Sequence, residues 1–274
     1  MIDVAKFNSL FELFEAFPDE KSCIIYLEQL FWSEGVISPF DETSKVYHLG
    51  NHRYMCKYTQ KLFNVKIGTI FESTKISLRK WFAAIWLLAS NKKGISSLQL
   101  SRDLGITQKT AWHILHKIRT CCICKNDGQL DGEVECDETF VGGKNKNRHW
   151  DKKVKNSQGR SFIDKTPVLG MLQRGGDVIC RVVENTSRHQ ITPNILKFVK
   201  PTATLYTDEW LGYNEVSKIY THYSVDHGKK QYVNGNVYTN TLEGFWSIFK
   251  RGIIGIYHHL SRKHLQLYVN EFVF

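Results

Sequence analysis

The chain has 274 residues, 42% of them apolar and 23% charged, a composition that excludes an intrinsically disordered protein. Thirty-seven Lys and Arg against 27 Asp and Glu leave a formal charge of +10, which attracts polyanions. The longest strongly apolar run, residues 81–89, is far shorter than the ~20 residues that span a bilayer, so no membrane partner is expected.

The N-terminal stretch carries acids among its apolar residues and lacks the basic start and cleavage site of a secretion signal. Seven cysteines at irregular spacing argue for a reducing compartment over a disulfide framework. Nucleic acid is then the expected polyanion.

Three compositional zones follow one another: 1–76, 77–125 and 126–274. In the first, Phe7, Leu10, Phe11, Phe14 and Phe17 recur at helical spacing. Pro18-Asp19-Glu20 marks the start of a second helix carrying Ile24, Ile25, Leu27 and Leu30. Short alternating segments at 45–49, 53–56 and 61–65, separated by turn residues, predict a small β-ribbon. Zinc often staples a sheet this small, but Cys56 stands alone where paired knuckles would be needed, and a metal-free ribbon is expected.

The second zone is predicted helical, with Leu78, Trp81, Phe82, Ile85, Trp86 and Leu88 on one face. Residues 94–112 then have the pattern of a helix-turn-helix. Ser96 or Ser97 caps its first helix, Leu98 and Leu104 point inward, Gly105 makes the turn and Thr107 caps the second helix. Ala111, Ile114, Leu115 and Ile118 are expected inside. Gln108, Lys109, His113 and Lys117 are expected outside, suited to phosphates and base edges in a major groove. Cys121-Cys122-x-Cys124 has no further ligands nearby and is not expected to hold zinc.

In the third zone, residues 133–140 read as a strand rich in acids, 166–173 and 178–183 as a hairpin, about 190–199 as a helix, 203–208 as a short strand ending on an acid, and 240 to about 251 as a helix. That order predicts a mixed sheet with flanking helices, an α/β fold. The basic segment 142–160 is expected to be an exposed loop that finds phosphates, with Lys144, Lys146 and Arg148 among its cations. Asp137 and Asp208 are expected to end apolar strands, where a charge is costly unless something binds it. Two Mg²⁺ ions roughly 3.5–4 Å apart can activate an attacking oxygen and stabilise a leaving one in phosphodiester chemistry, and such ions want carboxylate oxygens. Asp137, Asp208 and Glu243 suit the three positions such a site needs, and Lys250, close to two turns after Glu243, shares its face beside Arg251.

Residues 134–144 (VECDETFVGGK) and 238–264 (YTNTLEGFWSIFKRGIIGIYHHLSRKH) resemble the IS1595 group of transposases with its ISXO2-like catalytic domain. Phe17-Pro18-Asp19-Glu20, Trp32-x-x-Gly35, Gly68-Thr69-Ile70-Phe71, Lys80-Trp81-Phe82 and Lys109-Thr110-Ala111-Trp112 extend the resemblance to the N-terminal zones. It implies an RNase H-like fold and a DDE site made by Asp137, Asp208 and Glu243, holding two Mg²⁺ or Mn²⁺ ions, with Lys250 as the accompanying base. Asn240 is the alternative third ligand. The partners implied are double-stranded DNA, as terminal inverted repeats and target, and at least a homodimer on DNA. The compartment expected is the cytoplasm and nucleoid of a bacterium, or the nucleus of a eukaryote. Against the family's two Cys-x-x-Cys pairs, the ribbon here has Ser38, Asp41, Cys56 and Thr59, so zinc binding there is not expected. Two function classes follow: an active transposase that cleaves and joins DNA, or a catalytically inactive DNA-binding relic or repressor. A junction-resolving nuclease would share the chemistry without explaining the C-terminal motif.

Overall fold

The computed structural model describes residues 6–122, 129–143, 145–155, 157, 161, 163–225 and 236–274. It divides into two compact units, Met1–Asn91 with Ile95–Cys121, and Lys92–Gly94 with Cys122–Phe274.

The first unit opens with α1 (Leu10–Ala16) and α2 (Glu20–Phe31). Asp19 starts α2 through a capping box, its carboxylate accepting from the Ser22 amide at 2.7 Å. Three short antiparallel strands follow: β1 (Val46–His48), β2 (Tyr54–Cys56) and β3 (Leu62–Phe63). Tyr54, Cys56 and Phe63 form their buried core against Trp32, Val36, Val46 and Ile67. Ser38, Ser44 and Thr59 turn hydroxyls onto the buried Cys56 thiol. Burial pushes that thiol up, but the donated hydrogen bonds outweigh it and bring it to about 6.

The same unit continues with α3 (Leu78–Ser90), α4 (Ser97–Leu104) and α5 (Gln108–Cys121). Ser96 caps α4 by accepting from the Gln99 amide at 3.1 Å, and Gly105 ends it at φ 58, ψ 51, the left-handed region that glycine enters without strain. Thr107 then accepts from the Thr110 amide at 3.2 Å to begin α5. Leu98 was expected inside and is 47% exposed. Because α4 begins at Ser97, its inner face falls on Leu100, Ser101 and Leu104.

The second unit is built on β4 (Glu133–Val141), β5 (Thr166–Gln173), β6 (Val178–Val182), β7 (Thr204–Asp208) and β8 (Thr221–Val225), in the spatial order β6-β5-β4-β7-β8. The β4-β5-β6 meander is antiparallel, and β7 and β8 are added parallel to β4. Strand alternation sends Val134 and Cys136 to one face, where α6 (Arg188–Phe198) and the turns at Tyr213 and Val216 cover them. The other face carries Val168 and Leu172, covered by α7 (Asn240–Gly252) and α8 (Leu265–Val273). Within the described residues this is a mixed sheet with helices on both faces. No helix among them is long and apolar enough to cross a membrane.

Candidate active site

Alternation along β4 puts the carboxylates of Glu135 and Asp137 on the α7 face. Asp137 was expected at a strand end but stands at the middle of β4, opposite Gly170, because pairing with β5 carries the strand on to Val141. Asp208 is the last residue of β7, the parallel neighbour, and is 5% exposed. Carboxylate oxygens of Asp137, Glu138 and Asp208 lie within 4.8 Å of one another, the only such group of metal-ligating side chains among the described residues. Glu243 and Lys250, two turns apart on α7, line the same cavity of about 930 Å³, together with Arg251. Glu243 does not join the 4.8 Å group. Asn240, the alternative third ligand, is exposed at the first turn of α7 and does not line the cavity.

The crowding has an electrostatic signature. Burial, then the charge of Asp208, and further the charge of Glu243 push Asp137 up to about 6, while the hydrogen bond from the Trp246 side chain pulls the other way. Carboxylates that repel one another in a half-enclosed site fit a hard divalent cation with oxygen ligands. The geometry of each acid is fixed from outside. The Trp246 indole N–H donates to Asp137 Oδ2 at 3.1 Å, and the Trp210 amide donates to Asp208 Oδ1 at 3.0 Å. A Cβ on Gly170 would come within 2.5 Å of Trp246 Cζ2, so only glycine leaves room for the indole to lie across β5 and reach Asp137.

Glu135 does different work. Its side chain is fully buried, and its carboxylate accepts from Thr241 Oγ1 at 2.9 Å, from the Leu242 amide at 3.0 Å and from Arg174 Nε at 2.9 Å. The first turn of α7 has no side-chain cap of its own. Glu135 satisfies one of its orphan amides from the sheet. Arg174 completes the knot by donating to Glu133 at 3.2 Å and to the Asn236 and Tyr238 carbonyls at 2.9 and 2.8 Å. Its guanidinium also lies 4.1 and 3.7 Å from the ring centres of Tyr206 and Tyr238. This network ties the first turn of α7, which carries Glu243, to β4.

The sequence reading therefore brought Asp137, Asp208, Glu243, Lys250 and Arg251 to one cavity. It missed Glu138, Glu135, Arg174 and Trp246. The run of alternating acids at 133, 135 and 137 was the available signal for Glu135, since a carboxylate on an inward strand position needs a partner.

The expected DNA-contacting side chains divide. Gln108, Lys109 and His113 are exposed on α5, with Trp112 between them 42% exposed. Lys117 corrects the sequence reading: its ammonium donates to the Ile70 and Glu72 carbonyls at 3.1 and 3.3 Å. Spacing put it on the outer face, but its long stem folds back to satisfy two carbonyls within its own unit. Lys146 is exposed. Arg148 is instead drawn to Asp164, donating to its carbonyl at 3.3 Å with its carboxylate at 3.8 Å. Lys144 and Cys124 lie outside the described residues.

The ISXO2-like transposase domain family matches residues 129–274, the whole of the sheet and its helices. The chain belongs to this family. It is thus a transposase of the IS1595 group, and the acids described above lie inside the matched domain. The chain is 27% identical over 271 residues to an uncharacterized protein in transposable element ISH50 of Halobacterium salinarum, covering 94% of this chain and 91% of that protein. An uncharacterized transposase-like protein of Haemophilus influenzae is 30% identical over 92 residues, 33% of this chain and 72% of that protein. Among solved structures, a pre-cleavage Mos1 transpososome is similar at 9% identity and a TM-score of 0.32, covering 96% of this chain and 89% of that one, too slight a likeness to build on.

Proposed function

We propose that this transposase is an active DDE enzyme that cleaves DNA at the terminal inverted repeats of its element and joins the freed ends to target DNA. The observation that carries the reading is the convergence of Asp137, Asp208, Glu243 and Lys250 on one cavity. The strand order, with a three-stranded antiparallel meander continued by two parallel strands, supports an RNase H-like fold for residues 126–274.

Asp137, Asp208 and Glu243 would hold two Mg²⁺ or Mn²⁺ ions, with Glu138 close enough to contribute an oxygen. Such ions, when bound, supply activation of the attacking oxygen and stabilisation of the leaving one. The residues of the chain do the rest. Trp246 and Trp210 hold one oxygen of Asp137 and one of Asp208 in place. Lys250 and Arg251, on the same wall as Glu243, offer cations to the phosphates flanking the reacting one. The α4–α5 pair is a helix-turn-helix with Gln108, Lys109 and His113 toward the DNA, and the ribbon of the first unit is held by its apolar core and the Cys56 hydroxyl cluster in place of zinc. Paired ends call for a homodimer or larger assembly on double-stranded DNA.

Strand transfer of a precleaved end in Mn²⁺ tests the reading. Product with the wild type and none with Asp208→Ala is expected. DNA binding by both with product from neither would assign the chain to the inactive DNA-binding class instead.

A further inference from the structure

Residues 145–155, between β4 and β5, form a tied structure that their basic composition does not announce. Asn145 clasps Val154 with both ends of its amide, donating to the Val154 carbonyl at 2.8 Å and accepting from its N–H at 3.0 Å. The clasp closes a ten-residue loop in the manner of a two-bond strand pair. Two short 3₁₀ turns, Asn145–Asn147 and Trp150–Lys152, fill it, tied by Lys152 N–H to the His149 carbonyl at 3.0 Å. Arg148 anchors its flank to Asp164, which also accepts from Ser157 at 2.7 Å. At the crest stands Trp150, 86% exposed, in a residue type that is highly buried on average.

The surroundings decide what such a ring can meet. Lys146, Lys152, Lys153 and Lys155 are exposed around it, and Asp151 is the one acid between 145 and 155. Within residues 145–155 Trp150 is the one exposed apolar side chain, so its nearest neighbours along the loop are cations. A flat aromatic among cations matches single-stranded or unpaired nucleic acid, where the ring takes a base and the cations take its phosphates. The loop leaves the sheet four residues past Asp137, about 13 Å along the strand at ~3.3 Å per residue, a span of about four base-pair steps.

We infer that Trp150 is a base-stacking residue, and that the clasped loop presents it to an unpaired or terminal base of the DNA end held at the acid cluster. The inference rests on the proposed DNA-processing function and adds to it a contact with the base rather than the backbone.

The test uses the full chain and a short duplex with a single-stranded overhang carrying 2-aminopurine, whose fluorescence falls when it is stacked. Wild type and Trp150→Phe are expected to quench the probe. Trp150→Ala is expected to leave it near its free value and to bind the overhang about tenfold more weakly, with blunt duplex bound as before. Equal quenching by Trp150→Ala and wild type overturns the assignment, as does a loss with Trp150→Phe as large as with alanine. A change in sedimentation of the DNA-free protein on Trp150→Ala, with quenching intact, gives the ring to a contact between copies and also overturns it. Failure of the wild type to bind either DNA at low salt sinks the DNA-processing reading itself. Binding without any quenching sinks only the stacking residue.

Discussion

Asp137 shows how a single carboxylate can be set against its own fold. Its ordinary value is near 3.8, and burial beside Asp208 raises it to about 6 in the folded chain. The folded state therefore holds a proton that the unfolded state has released between those values, so stability falls as pH rises from about 4 to about 6 and stays lower above. Asp137→Asn should then stabilise the metal-free protein at pH 7.5 by on the order of 3 kcal/mol, read by urea unfolding, and add nothing at pH 4. Millimolar Mg²⁺ should raise the midpoint of the wild type and leave the asparagine variant nearly unmoved. Gly170 belongs to the same scale. Gly170→Ala sets a methyl against the Trp246 ring and should cost about 1–3 kcal/mol, with Mn²⁺ affinity reduced because the indole can no longer hold Asp137 Oδ2. Unchanged Mn²⁺ binding, measured by electron paramagnetic resonance, would break that link.

Strands and helices carry the next set of consequences. Glu135 on β4 and the first turn of α7 form one mechanical piece, joined by the Thr241 hydroxyl and the Leu242 amide. Glu135→Ala takes one acceptor from the Arg174 guanidinium, which keeps Glu133 and the Asn236 and Tyr238 carbonyls, and removes the cap on Leu242, at an expected cost of about 1–3 kcal/mol in chemical denaturation. The β5–β6 hairpin and β7 were legible in the sequence as short apolar runs bounded by turns, β4 as a strand of alternating acids, and α7 as a helical run from Asn240. Strand β8 was not: the sequence raised no expectation for Thr221–Val225, and it is a strand because the edge of β7 pairs it from Thr204 to Asp208. The acid cavity was legible through the strand-end charge of Asp208 and the family motif. The partners that aim it were not, since Glu135 meets Leu242, and Asp137 meets Trp246, across more than a hundred residues. Lys117 and Arg148 misled for the same reason: long cationic stems reach carbonyls and carboxylates that spacing along a helix or loop does not announce.

At the scale of the whole chain, the +10 charge sets how DNA is held. Binding to duplex should weaken linearly in the logarithm of salt, with a slope of about −0.9 per phosphate neutralised. Lys109→Ala should make that slope shallower by about one, whereas Lys117→Ala should not, because its ammonium is spent on carbonyls inside the protein. Equal slopes for both variants in a fluorescence-anisotropy salt series would return Lys117 to the DNA surface. The knot of Glu135 and Arg174 has its widest effect here. The third acid follows the second by 35 positions along the chain, yet its helix is moored to the strand of the first. Its place is therefore set by that mooring rather than by the length of the chain between β8 and Asn236. Up to Val225 the chain still serves the sheet and Asp208 through Trp210, Tyr213, Val216 and β8, so the freedom to diversify belongs to the stretch after β8.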